Sequence, residues 1–361
     1  MIRNAWHFYY VLVLVAKVVC RSIGLRCSHL NRALALITTS RTLVNQGAKV
    51  LDKIYKYMPL RKEFFENFLI RGSQKYALND PFELRPSSGD VFKKLVDNAY
   101  YEFAIVSLSE TNNNLLMWSH YADQHKGIVI EFDADRLGFE SYKPHPMTTY
   151  DSVLETEVLD EIETNKRLSV NPGLIQRVRY NSKRPSYNDF ENILEHFLVK
   201  SDEWIYEKEH RIVLPLVTAD RIIVHESHLL DIEFFVQDPD NLDRKELPNN
   251  MFMINLREAL IVDAEWLIRQ DDGELSRDEL VLALVDNTIN EYLQKLSEDS
   301  RTIFLYEVDP SAIKSVYFGC KVDCLDKDYV INLIETESEL QHIQVFHAEV
   351  SDERFELNFK N

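Results

Sequence analysis

Glycine is scarce, with nine in 361 residues. That excludes long flexible linkers and collagen-like repeats, and it leaves little room for glycine-rich nucleotide loops. Neither G-x-G-x-x-G nor G-x-x-x-x-G-K-[ST] occurs, so phosphate binding by those loops is out. The G-x-S-x-G nucleophile elbow and the H-E-x-x-H zinc motif are missing as well. Cysteine is sparse too. Cys20, Cys27, Cys320 and Cys324 are too few for a secreted disulfide scaffold of this length. Cys320-x-x-x-Cys324 has no second Cys or His pair nearby at zinc-like spacing. Reduced thiols and a cytoplasmic location are the expectation. The apolar run Ala5–Ala16 ends at Lys17, short of the ~20 residues that cross a bilayer. Residues 1–52 read as a basic, apolar extension outside the fold. Membrane contact by residues 5–20 is the alternative.

What is present is ordinary globular composition: 45% hydrophobic and 28% charged residues, enough for a sizeable core. The charge is unevenly spread. Residues 1–62 carry eleven basic side chains against one acid, Asp52, although the whole chain has a formal net charge of -18. The remaining body is therefore strongly acidic, and general coating of nucleic acid is excluded. One acid-free stretch stands apart, with Lys166, Arg167, Arg177, Arg179, Lys183 and Arg184. It reads as a solvated loop or, less readily, a local basic site.

Regular pattern begins near Lys53. Ile54–Met58 reads as a strand, Leu60–Ile70 as a helix, and Arg71-Gly72 as its C-cap. Asn79-Asp80-Pro81 is a turn signal. Asp90–Tyr101 reads as a helix, Phe103–Ser109 as a buried strand, Leu115–Lys126 as a helix stopped by Gly127, and Ile128–Phe132 as a strand. Residues 135–185 look irregular. Tyr187–Lys200 reads as a helix, Ile205–Leu214 as a strand, 256–298 as two acidic helices, and Ile313–Gly319 as a strand. Alternating strands close the chain over Glu339–Glu356. Strands and helices intermix without a run of regular βα units. The fold class expected is α+β, with a mixed, mostly antiparallel sheet and flanking helices in a single main domain, 53–361.

Three constellations could carry chemistry. On a strand over 205–214, Glu207, Glu209 and Arg211 share one face. A Glu paired with Arg stays ionised, while a Glu repelled by its twin is raised toward neutrality, which is how acid/base pairs are built. The plain alternative is an exposed Glu–Arg ion pair. The second constellation is M-W-S-H-Y-A, where helical spacing groups Met117, His120, Tyr121 and Gln124. His120 could serve as a base and Tyr121 as a stacking ring, although core packing explains such a stripe equally well. The third is N-D-P-F-E, in which Asn79 and Asp80 are candidate ligand contacts and the rest is a turn. No metal site is expected. Glu207/His210 and Glu339/His342 sit three apart in strand-like segments and face opposite ways.

Several ordered segments together resemble a known group. F-A-I-V-S-L-S-E (103–110), L-M-W-S-H-Y-A-D-Q-H-K-G-I-V-I-E-F-D (116–133), V-R-Y-N-S-K-R-P (178–185), W-I-Y-E-K-E-H-R (204–211) and I-K-S-V-Y-F-G-C-K (313–321) resemble a bacterial domain-of-unknown-function family. The resemblance covers roughly 54–360, with 220–300 as a helical insertion. A second resemblance implies chemistry. ADP-ribosyltransferases carry a basic or His residue on a first strand, then a Ser-x-Ser strand, then a Glu-x-Glu strand. Lys56, Ser107-x-Ser109 and Glu207-x-Glu209 follow that order, with Lys56 standing where Arg or His is usual. The resemblance implies NAD as substrate and a nucleotide-like small-molecule partner. It makes Glu209 the catalytic carboxylate, Glu207 its partner and His120 an assistant. Lys56, Tyr57, Asn79, Asp80, Ser107, Tyr121 and Arg211 would line the pocket. The alternative from another class is a non-enzymatic sensor or interaction module in stress or phage response, which predicts ion-paired Glu207 and Glu209 and no pocket joining them to His120.

Overall fold

β1 (Lys53–Met58) forms where aromatic and β-branched residues cluster. In the computed structural model the described residues are 51–89, 93–137, 139, 173–189, 193–235, 242–256 and 290–361. The apolar run at 5–20 and most of the acidic stretch expected as helices over 256–298 lie outside them. Asp52–Asn361 is one compact unit.

α1 (Lys62–Asn67) is shorter than the helix expected over Leu60–Ile70. Phe68 turns left-handed (φ 53°) and its N–H caps the Phe64 carbonyl at 2.7 Å. The chain then leaves as β2 (Leu69–Gly72), so Arg71 and Gly72 are strand residues and no C-cap. α2 (Lys93–Glu102) and β3 (Phe103–Ser109) follow, the strand with the bounds its sequence suggested. α3 (Leu115–His120) starts where the Asn114 side chain accepts the N–H groups of Leu116 and Met117. It does not run on to Lys126. Asp123, Gln124 and His125 are all left-handed, with φ of 45°, 55° and 71°, a geometry that costs L-residues about 1–2 kcal/mol each.

β4 (Ile128–Asp133) leads out of this turn. β5 (Gln176–Arg177), β6 (Arg179–Asn181) and β7 (Val199–Ser201) are short. The helix expected over Tyr187–Lys200 reduces, among its described residues, to a 3-10 segment at Ile193–Leu198. A second 3-10 turn, Asp202–Glu207, precedes β8 (Glu209–Pro215). The strand expected from Ile205 therefore begins only at Glu209. Next come β9 (Arg221–His225), α4 (Leu229–Phe235), β10 (Arg244–Leu247) and β11 (Met251–Asn255). α5 (Asn290–Ser297), β12 (Ile303–Glu307), β13 (Ile313–Phe318), α6 (Cys324–Thr336), β14 (Gln344–Val350) and β15 (Leu357–Lys360) complete the described chain.

The main sheet has eight strands in the order β15-β14-β13-β4-β1-β3-β8-β5. Every neighbour pair is antiparallel except β13–β14. That parallel pair needs a crossover, and α6 supplies it. A five-stranded antiparallel sheet, β10-β11-β9-β12-β2, stands beside it, joined by the bridge Ser73–Ile105. β6 and β7 form a small parallel pair. The fold is α+β with a mixed, mostly antiparallel sheet. No helix among the described residues is long and apolar enough to cross a membrane.

Two apolar clusters flank the future site. One joins Val96 and Tyr100 of α2 to Phe103, Ile105, Phe197 and Val213. The other joins Tyr55 and Tyr57 to Met117, Trp118, Val129 and Tyr317. The registers Ile105↔Val213, Ser107↔Arg211 and Ser109↔Glu209, with Tyr55↔Ser109, put both clusters on one sheet face. Between them that face carries polar side chains.

The left-handed turn packs tightly on two glycines. A Cβ on Gly319 would collide with the His125 carbonyl, and one on Gly127 with the Met58 carbonyl. We expect Gly319→Ala to cost about 1–3 kcal/mol, as overpacking does. A lowered denaturation midpoint at unchanged m-value checks this, and an unmoved midpoint refutes it.

Candidate functional site

Arg211 organises the polar patch. It sits on β8 and is fully buried. Its Nε donates to Glu209 Oε1 (2.8 Å), its Nη2 donates to Glu209 Oε2 (3.1 Å) and to Glu83, and its Nη1 donates to the Phe197 carbonyl (2.7 Å). A guanidinium can satisfy two carboxylates and a carbonyl at once because its donors form a rigid planar fork. Lys200, on β7, is the second buried cation. Its Nζ donates to Glu207 Oε2 (2.7 Å) and Glu209 Oε2 (3.0 Å) and lies 3.8 Å from Glu83. Three carboxylates thus share two cations in a buried network.

Glu207 arrives at this network by an unexpected route. It ends the 3-10 turn Asp202–Glu207, and Lys208 follows in a left-handed conformation (φ 45°). The turn is anchored by Ser201, whose side chain caps it, and by the Ser109 hydroxyl, which donates to the Glu207 carbonyl at 2.7 Å. Glu207 is therefore not on the strand face with Glu209 and Arg211. It meets Glu209 because the left-handed residue folds the chain back, and Lys200 ties the two carboxylates together. Tyr121, the residue capping α3, donates its hydroxyl to Glu207 Oε1 at 2.6 Å.

The two glutamates have different electrostatics. Burial alone would raise Glu209, but Arg211 and Lys200 outweigh it, and the carboxyl is held at about 2. Burial raises Glu207, and Lys200 and Tyr121 only partly offset it, so its pKa lies above the ordinary glutamate value. Burial lowers Lys200, yet Glu209 and Glu83 carry it up to about 12. This separation of two adjacent carboxyl groups is the pattern found in acid/base pairs.

The network opens on a cavity of about 230 Å³. Lys56, Tyr57, Asn79, Asp80, Ser107, Tyr121, Glu207, Glu209 and Arg211 all line it. Lys56 stands where β1 and β3 are paired at a single register position, and its Nζ donates to the Ser107 carbonyl at 2.9 Å. Burial, partly offset by Glu209, lowers its pKa to about 8. Arg71, from β2, also lines the cavity. Its Nε is buried without a hydrogen-bond partner, and burial lowers its pKa. Asp80 Oδ1 is engaged as a turn acceptor for the Phe82 N–H at 2.8 Å.

His120 is the exception among the expected residues. It is exposed on α3 and outside the lining, because α3 turns its Met117 and Trp118 inward and ends at His120. Glu83, Lys200, Arg71, Tyr55 and Trp204 were not among the expected site residues, yet all five line the cavity. Glu83 had a visible signal, since it closes the N-D-P-F-E turn. Lys200 and Arg71 were hidden by the helix and the cap expected around them. Among the described residues no group of three His, Cys, Asp or Glu side chains could hold a metal ion. In the triad of Glu83, Glu207 and Glu209 the Lys200 ammonium takes the place a cation would occupy.

Comparison with curated proteins and with solved structures finds no match. The span that supplies Tyr121, Lys200, Glu207, Glu209 and Arg211 is the one a family comparison picks out: residues 117–212 match the family model described as Protein of unknown function (DUF2971).

Proposed function

We propose that the cavity is a catalytic site for a nucleotide-like anionic substrate, and that the reaction it suits best is ADP-ribosyl transfer from NAD. The observation that carries this is convergence. Lys56, Ser107 and the Glu207–Glu209 pair come from β1, from β3 and from β8 with its preceding turn, and these strands are consecutive in the sheet. All four side chains line one cavity. Lys56 and Arg71 form no ion pair with a carboxylate among the described residues, which suits an anionic ligand. A volume of about 230 Å³ is below the ~300–1,000 Å³ that buries a whole drug-sized ligand, so the reacting half of a dinucleotide is the better fit.

The roles follow from the electrostatics. Glu209 is a fixed anion, preorganised by Arg211 and Lys200, and it faces the positive charge that develops on a ribosyl oxocarbenium. Glu207, raised and hydrogen-bonded to Tyr121, accepts the proton of the incoming nucleophile. Tyr55 and Tyr57 offer ring faces to the leaving nicotinamide. This differs from the assignment suggested by resemblance alone, which placed the principal chemistry on Glu209.

The test uses purified full-length protein, NAD labelled in the adenylate, and cell extract as acceptor. Label transfer that Glu207→Gln abolishes in a protein that is still folded supports the reading. Absence of both transfer and NAD turnover overturns it.

A second reading has its own observation. Both carboxylate oxygens of Glu209 are held by Arg211 and Lys200, and His120 stands apart from it. A non-enzymatic sensor would bind a ligand in the same cavity without consuming it. Saturable NAD binding with no turnover favours that reading.

A further inference from the structure

A second cavity of about 300 Å³ lies against the other side of Glu83 and Lys200, which line both spaces. Its outer wall is basic. Arg85, Lys183 and Arg184 line it, all three exposed. None of the three forms an ion pair with a carboxylate among the described residues. Three such cations on one cavity wall make a local positive patch on a chain whose formal net charge is -18. The carboxylates in the wall are already engaged: Glu83 by Arg211 and Lys200, and Asp80 by the Phe82 N–H.

Beside these cations stands an aromatic ring with nothing over most of its surface. Phe82 is 61% exposed, and the Arg184 guanidinium carbon sits 5.9 Å from its ring centroid. A single exposed aromatic is ordinary by itself; this one lines the same cavity as the three cations. An open ring next to unpaired cations is the arrangement that stacks a base and neutralises its phosphates. The basic loop at 183–184 reaches the cavity because the backbone of Ser87 bonds to Pro185 (2.8 Å), closing the two segments together.

We propose that this second cavity binds a nucleoside phosphate, with Arg85, Lys183 and Arg184 holding the phosphates and Phe82 stacking on the base. The site does not depend on the reaction proposed for the first cavity. Planar guanidinium groups favour phosphate oxygens in bidentate fashion, and Lys183 adds a point charge.

Calorimetric titration of the full chain with ADP, adenosine and inorganic pyrophosphate tests this. ADP is expected to bind at least tenfold more tightly than either fragment, and more weakly as salt rises. Lys183→Ala/Arg184→Ala, on exposed positions, should weaken ADP at least tenfold with an unchanged melting temperature. Phe82→Ala should bring ADP down to the affinity of pyrophosphate. The proposal is overturned by no ADP binding at millimolar concentration, by wild-type affinity in the double variant, or by pyrophosphate binding as tightly as ADP. Label transfer from NAD is a separate readout. Lost ADP binding with transfer retained removes this site alone, and the converse removes only the reading of the first cavity.

Discussion

Arg211→Met should lower the melting temperature by roughly 5–10 °C. The guanidinium is fully buried and is the main partner of both Glu209 and Glu83. Removing it strands two buried carboxylates, an error that costs about 3–5 kcal/mol in comparable cases, and a domain of this size loses on the order of 2 °C per kcal/mol. The pH dependence gives an independent check. In the folded protein Glu209 is held at about 2, below the 4.5 of a free glutamate. A depressed carboxylate contributes stability above its unfolded pKa, and that contribution is lost as pH falls through the folded one. The wild type should therefore lose this part between about pH 4.5 and 2, and the variant should show less of it, since of the two cations only Lys200 remains to hold Glu209 ionised. A thermal melt within 1 °C of wild type at pH 7 would refute the assignment of Arg211 as the keystone. Replacing Arg211, Glu209 and Glu83 together by apolar residues of similar volume should recover much of the loss, because a buried ion network is held mainly by the penalty for breaking it.

Glu207→Gln should separate function from stability. Burial raises the Glu207 pKa in the folded protein. A group raised in this way contributes stability below its unfolded pKa and loses it as pH rises through the folded value. The charged form of Glu207 is therefore a cost to the fold. The single acceptor oxygen of glutamine keeps the Tyr121 hydrogen bond and gives up the one from Lys200, which remains paired with Glu209. The melting temperature at pH 7 should stay level or rise. Label transfer from NAD should fall about 10²–10⁴-fold, the usual worth of a positioned proton acceptor. Glu209→Gln should instead lose stability and activity together. A Glu207→Gln protein that melts early, or one that transfers label at the wild-type rate, would sink the role given to this residue. The contrast follows a common trade-off, in which a site keeps a group the fold would prefer to lose.

The central sheet was legible because its strands are mostly apolar, short runs bounded by turn signals. Phe103–Ser109, Ile128–Asp133 and Ile313–Phe318 are short runs of β-branched and aromatic residues that few other structures can accommodate. The connections around the site were not legible, for one recurring reason. Phe68, Gln124 and Lys208 adopt left-handed backbone without being glycine, so no residue type announces the turn. Each such residue falls inside an element expected from the sequence and breaks its pattern. At Lys208 this moved Glu207 off the strand face, yet Lys200 still tied it to Glu209. The left-handed run Asp123–His125 replaces the last turn of the helix expected to Lys126, after α3 has already ended with His120 in solvent and Tyr121 turned inward. Lys200 was missed because a lysine at the end of an expected helix reads as surface. Its role depends on three carboxylates distant in the chain or across a turn, which periodicity does not register.

The wall shared by the two cavities has a thermodynamic consequence. Glu83 and Lys200 face both spaces, and Lys200 holds its three acidic partners unevenly, Glu207 and Glu209 at 2.7 and 3.0 Å and Glu83 at 3.8 Å. An occupant of either cavity that draws Lys200 toward itself changes the charge presented to the other. Linkage then makes the influence reciprocal: whatever factor one ligand imposes on the affinity of the second, the second imposes on the first.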